Sequence, residues 1–221
     1  MDVGYVELAI GSILISNFVL AKFLGFCPFF GVTRKMSDSI GMGLAVVFVM
    51  TLASAATTLV YRNLLLPTTP QHTNLLGLMG LPVPEGGYVL ILKTISYILV
   101  IAVLVQFVEM VLRKSVPALY RALGIYLPLI TTNCAVFGVA LLNTEAWRDP
   151  ANGLPVHLAA FNGFCGGLGF MLAMLLMSSI RERLAEYRVP KSLQGLPIAF
   201  ISAGLMALAF MGFTKLFGIT G

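Results

Sequence analysis

Cys27-Pro28-Phe29-Phe30-Gly31-Val32 is answered later in the chain by Cys134-Ala135-Val136-Phe137-Gly138-Val139, so the pattern C-x-x-F-G-V occurs twice, about half the chain apart. Weak self-similarity between halves is how many membrane folds reveal an internal repeat. Both copies stand among residues that disturb helices: Gly25, Pro28 and Gly31 around the first, Gly124, Pro128 and Gly138 around the second. Each segment therefore predicts a discontinuous helix. Irregular backbone at membrane depth is tolerated only where protein or a cavity shields it, so both breaks are expected to face the interior or a partner, and function to sit there.

Working outward, the surrounding chain suits lipid. Of 221 residues, 58% are hydrophobic and 10% charged, where a soluble domain carries roughly 25% charged residues. That composition argues against a water-soluble enzyme. The net charge of +5, from 14 Lys+Arg and 9 Asp+Glu scattered between apolar runs, is too dispersed for nucleic-acid binding. A helix needs about 20 apolar residues to cross the hydrocarbon core. Six runs qualify, at 4–25, 40–61, 88–112, 123–142, 156–180 and 196–217. The expectation is an all-α membrane protein: a single integral domain over 1–221, with repeat 1 at about 1–115 and repeat 2 at about 116–221. Three spans per half make the second copy enter from the opposite side, giving an inverted 3+3 repeat with discontinuous first and fourth helices. The first run lacks a basic n-region and a small-residue cleavage pattern, so it reads as a retained span. The stretch 62–87, with Pro67, Pro70, Pro82, Pro84 and the pair Gly86-Gly87, reads as an ordered or interfacial loop.

Orientation follows from the basic residues, which are retained on the cytoplasmic side. The first, third and fifth loops hold Arg34 and Lys35; Arg113, Lys114 and Arg121; and Arg181, Arg183, Arg188 and Lys191. The other side has Arg62, Arg148 and Lys215, with Lys93 just inside the third span. Both termini are therefore expected on the non-cytoplasmic side. The alternation of Arg and Glu after residue 180 reads as a solvated helix end with local ion pairs.

Three cysteines at wide spacing make no disulfide framework. Free cysteine is commonly a small buried filler. Cys165, in the Gly-rich stretch 163–169 where small residues let helices approach, takes that reading. The repeated pair, Cys27 and Cys134, could be filler too, or could present sulfur symmetrically to a metal centre. A [2Fe–2S] cluster wants four ligands, so a partner would have to supply the rest. Straight helices at about 1.5 Å per residue leave the two sulfurs at different depths, so the breaks must reposition at least one.

Ionisable groups inside spans are functional candidates by default. Lys22 can snorkel to the interface or, near a metal centre, favour its reduced state. Glu109 precedes Arg113 by one helical turn, which favours an interfacial ion pair over an ion path. Asn17, Asn133 and Asn162, with Thr131 and Thr132, suit interhelical hydrogen bonds better than a substrate site. His72 and His157 have no metal-ligand spacing. Phosphate-loop, nucleophile-elbow, dinucleotide and zinc patterns are all missing from the sequence.

The sequence resembles a known family, the A subunits of bacterial Rnf electron-transport complexes and their relatives, the E subunits of sodium-translocating NADH:quinone oxidoreductases. The resemblance is carried by NFVLAKFLGFCP at 17–28, VQFVEMV at 105–111, LYRALGIYLPLITTNCAV at 119–136, IRERL at 180–184 and AGLMALAFMGF at 203–213. The wording around Lys22, Pro28 and Thr132 is closer to the Rnf side. The resemblance implies a multi-pass subunit of the bacterial cytoplasmic (inner) membrane, paired with a homologous subunit of opposite topology. It implies that Cys27 and Cys134 are two ligands of a [2Fe–2S] cluster shared with that subunit, and it leaves Lys22, Glu109 and Asn133 as candidates for cluster tuning or an ion path. It implies partner subunits carrying flavin and iron–sulfur centres, electron flow between ferredoxin and NAD, and coupled Na⁺ or H⁺ translocation. The chain would be one subunit of a translocase with no catalytic site of its own. Two departures from the family are the long loop 67–87 and Cys165, which lies outside the motif.

A rival reading is a small inverted-repeat secondary transporter. It requires a polar site near the midplane, whereas the breaks carry Cys, Phe, Gly and Pro. The E subunit of a quinone reductase is a second alternative, and a purely structural subunit with filler cysteines a third.

Overall fold

The structure is a computed structural model, and it describes residues 5–61, 88–115, 129–130, 133–145, 155–190 and 192–216. Regular structure among the described residues is helical throughout. The elements are α1 (Tyr5–Ile10), continued by a π-helical turn (Gly11–Ile15), then α2 (Phe26–Val32), α3 (Met36–Val60), α4 (Tyr88–Ser115), α5 (Cys134–Glu145), α6 (Val156–Glu186) and α7 (Leu196–Leu216). The all-α expectation holds. Two helices, α3 with 25 residues and α6 with 31, are long and apolar enough to cross a membrane. At about 1.5 Å per residue they span roughly 37 and 46 Å, more than the ~30 Å hydrocarbon core. Shorter apolar stretches lie at Thr94–Met110, Cys134–Asn143 and Leu196–Gly212. The predicted loop 62–87 and the residues His72, Gly124, Pro128, Arg121, Thr131, Thr132, Arg148 and Lys191 fall outside the described residues.

α3 and α6 make the most extensive pairing in the structure. They run antiparallel. A Cβ on Gly43 would stand 2.6 Å from Met171 Cγ, one on Gly167 2.7 Å from Val47 Cα, and one on Gly163 2.8 Å from the Met50 carbonyl oxygen. Glycine at these positions lets the two backbones close on each other, which is the packing the Gly-rich stretch predicts. Cys165 is buried among these contacts as expected.

Polarity is turned inside out relative to a water-soluble fold. α3 exposes Ile40, Leu44, Phe48 and Leu59 while burying Ser39, Ser54, Thr57 and Thr58, and α4 exposes Ile95, Leu99, Val103, Phe107 and Met110. Apolar surface of this extent needs an apolar surrounding. The buried polar groups of α3 are satisfied internally, as lipid demands. Ser12 donates to Asn162 Oδ1 (2.6 Å), Asn162 Nδ2 to Asn143 Oδ1 (2.7 Å), Asn143 Nδ2 to Ser54 Oγ and Ser54 to the Ala159 carbonyl. This chain ties the π-helical turn, α6, α5 and α3 together.

The first predicted span, 4–25, is helical only to Ile15. Residues 16–25 leave the helix, and Asn17 accounts for how. Its Oδ1 accepts the Val19 N–H at 3.0 Å, and its Nδ2 donates to the carbonyls of Gly169 (2.7 Å) and Ile13 (3.2 Å). One amide thus occupies backbone groups that a continuing helix would have paired. The break ends at Gly25, as expected, but begins before it, and the other two residues named for it lie beyond it. Pro28 and Gly31 lie inside α2, because in the first turn proline's missing N–H would have had no helical partner anyway.

Candidate functional site

Residues 16–25 end at Gly25, whose φ of +85° lies in the left-handed region that favours glycine. That conformation starts α2 directly afterwards, with Cys27 as its second residue. In the second copy Leu129 and Ile130 are helical, Asn133 is not, and α5 starts at Cys134. Asn133 caps it: its Oδ1 accepts the Ala135 N–H at 3.0 Å, the usual geometry for an asparagine at a helix start. Both cysteines therefore lie in the first turn of a helix that restarts after a break. Negative charge is electrostatically favoured at such a helix start, as at that of the 12-residue α5.

The two breaks touch. A Cβ on Gly25 would stand 3.0 Å from Asn133 Oδ1 and 3.3 Å from Ala135 Cβ, so the residues on either side of Cys134 pack on the glycine two places before Cys27. Phe170 of α6 closes over the same point, with its Cε2 2.6 Å from the same position. The contact is reciprocal across the repeat. Gly31 of the first motif faces Leu129, and Gly138 of the second faces Leu24 and Phe18. The irregular segment thus draws the two motifs together, which straight helices could not have done.

Cys27 and Cys134 are both exposed and free of disulfides, while Phe29, Val32, Ala135, Val136 and Val139 beside them are buried. Lys22 is exposed on the segment leading to Cys27. Asn133 is 3% exposed, and its Nδ2 has no hydrogen-bond partner among the described residues. Glu109 is half-buried on α4, an element outside this junction, and among the described residues it makes no ion pair with Arg113. Asn17 and Asn162 make interhelical hydrogen bonds, as expected of them, and His157 is exposed at the start of α6. Among the described residues no three His, Cys, Asp or Glu side chains gather to hold a metal. The donor set of this junction is therefore two sulfurs at the surface, which fits half of a cluster site and no more.

Sequence reading missed Arg181. Its Nη1 donates to the Phe30 carbonyl at 2.9 Å and to Thr33 Oγ1 at 3.1 Å, at the C-terminal end of α2. The neighbouring Glu182 accepts the Met36 N–H at 2.8 Å, at the start of α3. The helix end is exposed as expected, and two of its charges also act as long-range caps. A clue lay in the sequence: opposite charges at adjacent positions match the opposite ends of the two helices flanking the short turn 33–35.

The Rnf-Nqr subunit family of membrane proteins matches residues 5–217. Over 212 residues the chain is 49% identical to the A subunit of the ion-translocating oxidoreductase complex of Tolumonas auensis, covering 96% of this chain and 97% of that one. It is 50% identical over 212 residues to the protein of the same name in Serratia proteamaculans, with the same coverage, and 51% over 213 residues to that in Sodalis glossinidius. On this match over nearly its whole length, the chain belongs to the Rnf-Nqr family of membrane subunits.

Proposed function

We propose that this chain is the membrane electron-carrier subunit of an ion-translocating ferredoxin:NAD oxidoreductase complex of the bacterial inner membrane. Cys27 and Cys134 supply two ligands of a [2Fe–2S] cluster, and a homologous subunit of opposite topology supplies the others. The observation that carries this reading is the junction itself: the helix starts bearing the two cysteines pack against one another while both cysteines stay open to a partner. The complex named for the relatives supports the electron-transfer and ion-translocation parts. The antiparallel α3 and α6 and the reciprocal glycine contacts support the inverted six-span arrangement.

Such a cluster supplies a one-electron stopping point partway across a barrier of about 30 Å. The work of this chain is to build its half of the site. Gly25 and Asn133 set the two helix starts, Phe170 covers the junction from the side of α6, and Lys22 brings positive charge to the same segment. Coupling to Na⁺ or H⁺ movement requires a part with two arrangements whose balance the electron shifts. Residues 16–25, held by the Asn17 amide and a few isolated backbone bonds rather than a continuous helical ladder, are the segment suited to it. Solute carriage finds less support, since the buried chain Ser12–Asn162–Asn143–Ser54 spends its hydrogen bonds on itself.

The test is anaerobic co-expression with the opposite-facing homologue, followed by electron paramagnetic resonance of the reduced complex. A binuclear iron signal is expected. Its absence from an intact complex overturns the reading in favour of solute carriage.

A further inference from the structure

We propose that Arg181 is the positioning residue for Cys27, fixing that sulfur from the far end of α2. α2 is seven residues long, too short to hold its place by helical hydrogen bonds alone. Its N-terminal end rests on Gly25 and carries Cys27. Its C-terminal end leaves carbonyls with no helical donor. Three of these are taken up: Thr33 Oγ1 donates to Phe29, the Arg34 N–H to Val32 at 2.8 Å, and Arg181 Nη1 to Phe30 at 2.9 Å. Arg181 also donates to Thr33 Oγ1 at 3.1 Å, so its charge backs two of the three caps.

Arg181 differs from the other two donors in where it comes from. Thr33 and Arg34 are local and move with α2, whereas Arg181 belongs to α6, which is clamped to α3 by the glycine contacts. The bond therefore locks a short helix to the rigid body of the fold. Glu182 completes the lock by holding Met36, the first residue of α3, on the other side of the turn. Cys134 has no such dependence, because α5 starts from its own asparagine cap. Losing Arg181 should therefore loosen one cysteine and leave the other in place.

The inference rests on the proposed function for its consequence, but its geometry can be tested without a metal. The full chain in detergent is followed by amide hydrogen–deuterium exchange and mass spectrometry, since the amides of α2 are protected only while that helix holds. With Arg181→Met, the amides of α2 should exchange roughly tenfold faster, as expected when charge-assisted hydrogen bonds no longer oppose local opening. The amides of α5 should keep their rate, and Arg181→Lys should restore most of the protection of α2. Amides around the buried Cys165 of α6 report unfolding. Equal acceleration in α2 and α5, or no change in either, overturns the proposal. Thr33→Val, which removes one acceptor of Arg181 and the donor to the Phe29 carbonyl but leaves the bond from Arg181 to Phe30, should give a smaller change in the same direction in α2 alone. In the assembled complex, Arg181→Met should alter the lineshape of the binuclear signal. If the unmodified complex has no such signal, the cluster reading fails while the exchange result still decides the role of Arg181.

Discussion

Leu24 closes on Gly138, so that a Cβ added there would stand 2.6 Å from Leu24 Cδ1. These residues come from opposite halves of the chain, one just before the first cysteine motif and one inside the second. Gly138→Ala should therefore displace the flexible end of the Leu24 side chain. A displacement of this kind costs about 1 kcal/mol, the low end of overpacking, and the detergent-solubilised chain should melt slightly lower. Leu24→Ala in the same chain should recover part of the loss, as expected of direct neighbours. A double variant no more stable than Gly138→Ala alone would argue against the contact.

Gly25→Ala meets two obstacles, a φ of +85° and the packed atoms of Phe170 and Asn133. Left-handed backbone costs a non-glycine residue roughly 1–3 kcal/mol before any clash is counted. Gly204 on α7 has nothing within 4 Å of its added Cβ. Gly204→Ala should accordingly stabilise by about 0.4–1 kcal/mol. The opposite signs of these two substitutions in one thermal-melt series separate the geometry of the junction from a general response to losing glycine.

Helical class, the two long apolar helices and the Gly-rich approach of α6 were legible because each leaves a local signature. The repeat pointed to both breaks for the same reason. Gly25 does sit at the first break, but Pro28 and Gly31, which look like breakers in a linear reading, lie inside α2, and the departure is begun by Asn17, whose acceptor on Gly169 is far away in sequence. The depths of the cysteines suggested only that a break must reposition at least one of them; the meeting of Gly25 with Asn133 was not legible, since it depends on an irregular path. Arg181 was hidden for a related reason, because its partners Phe30 and Thr33 lie at the other end of the chain.

Asn162 both accepts from Ser12 and donates to Asn143. Asn162→Leu takes the acceptor from Ser12 and the donor from Asn143 Oδ1, at a cost of roughly 1–3 kcal/mol. Ser12→Ala removes one donor and should cost less. Because the groups form one chain, Asn162→Leu combined with Asn143→Leu should cost less than the sum of the two singles, measured by denaturant titration in detergent. Strict additivity would mean that the groups do not act together.

Lys22 is an exposed cation on the segment that ends at Cys27. Positive charge near a redox centre favours its more negative, reduced form. Under the proposed function, Lys22→Gln should lower the midpoint potential of the binuclear signal by an amount on the order of tens of millivolts, where about 59 mV is tenfold for one electron. Lys22→Arg should leave it nearly unchanged. A potential that ignores the charge at this position would place the centre elsewhere.

The cysteines make the sharpest comparison, because chemistry and packing predict different orders of damage. Cys27 and Cys134 are exposed in this chain and contribute little to its core, while Cys165 is buried. If all three are filler, Cys165→Ser should do the most harm, since it places a hydroxyl in an apolar interior. If the first two are ligands, Cys27→Ser and Cys134→Ser should each abolish the binuclear signal in the assembled complex while leaving the isolated chain folded. Cys165→Ser should keep the signal at a modest cost in melting temperature. Iron content, spin quantitation and thermal melting on the three variants decide between the two orders, and a full signal from either Cys27→Ser or Cys134→Ser would remove that residue from the ligand set.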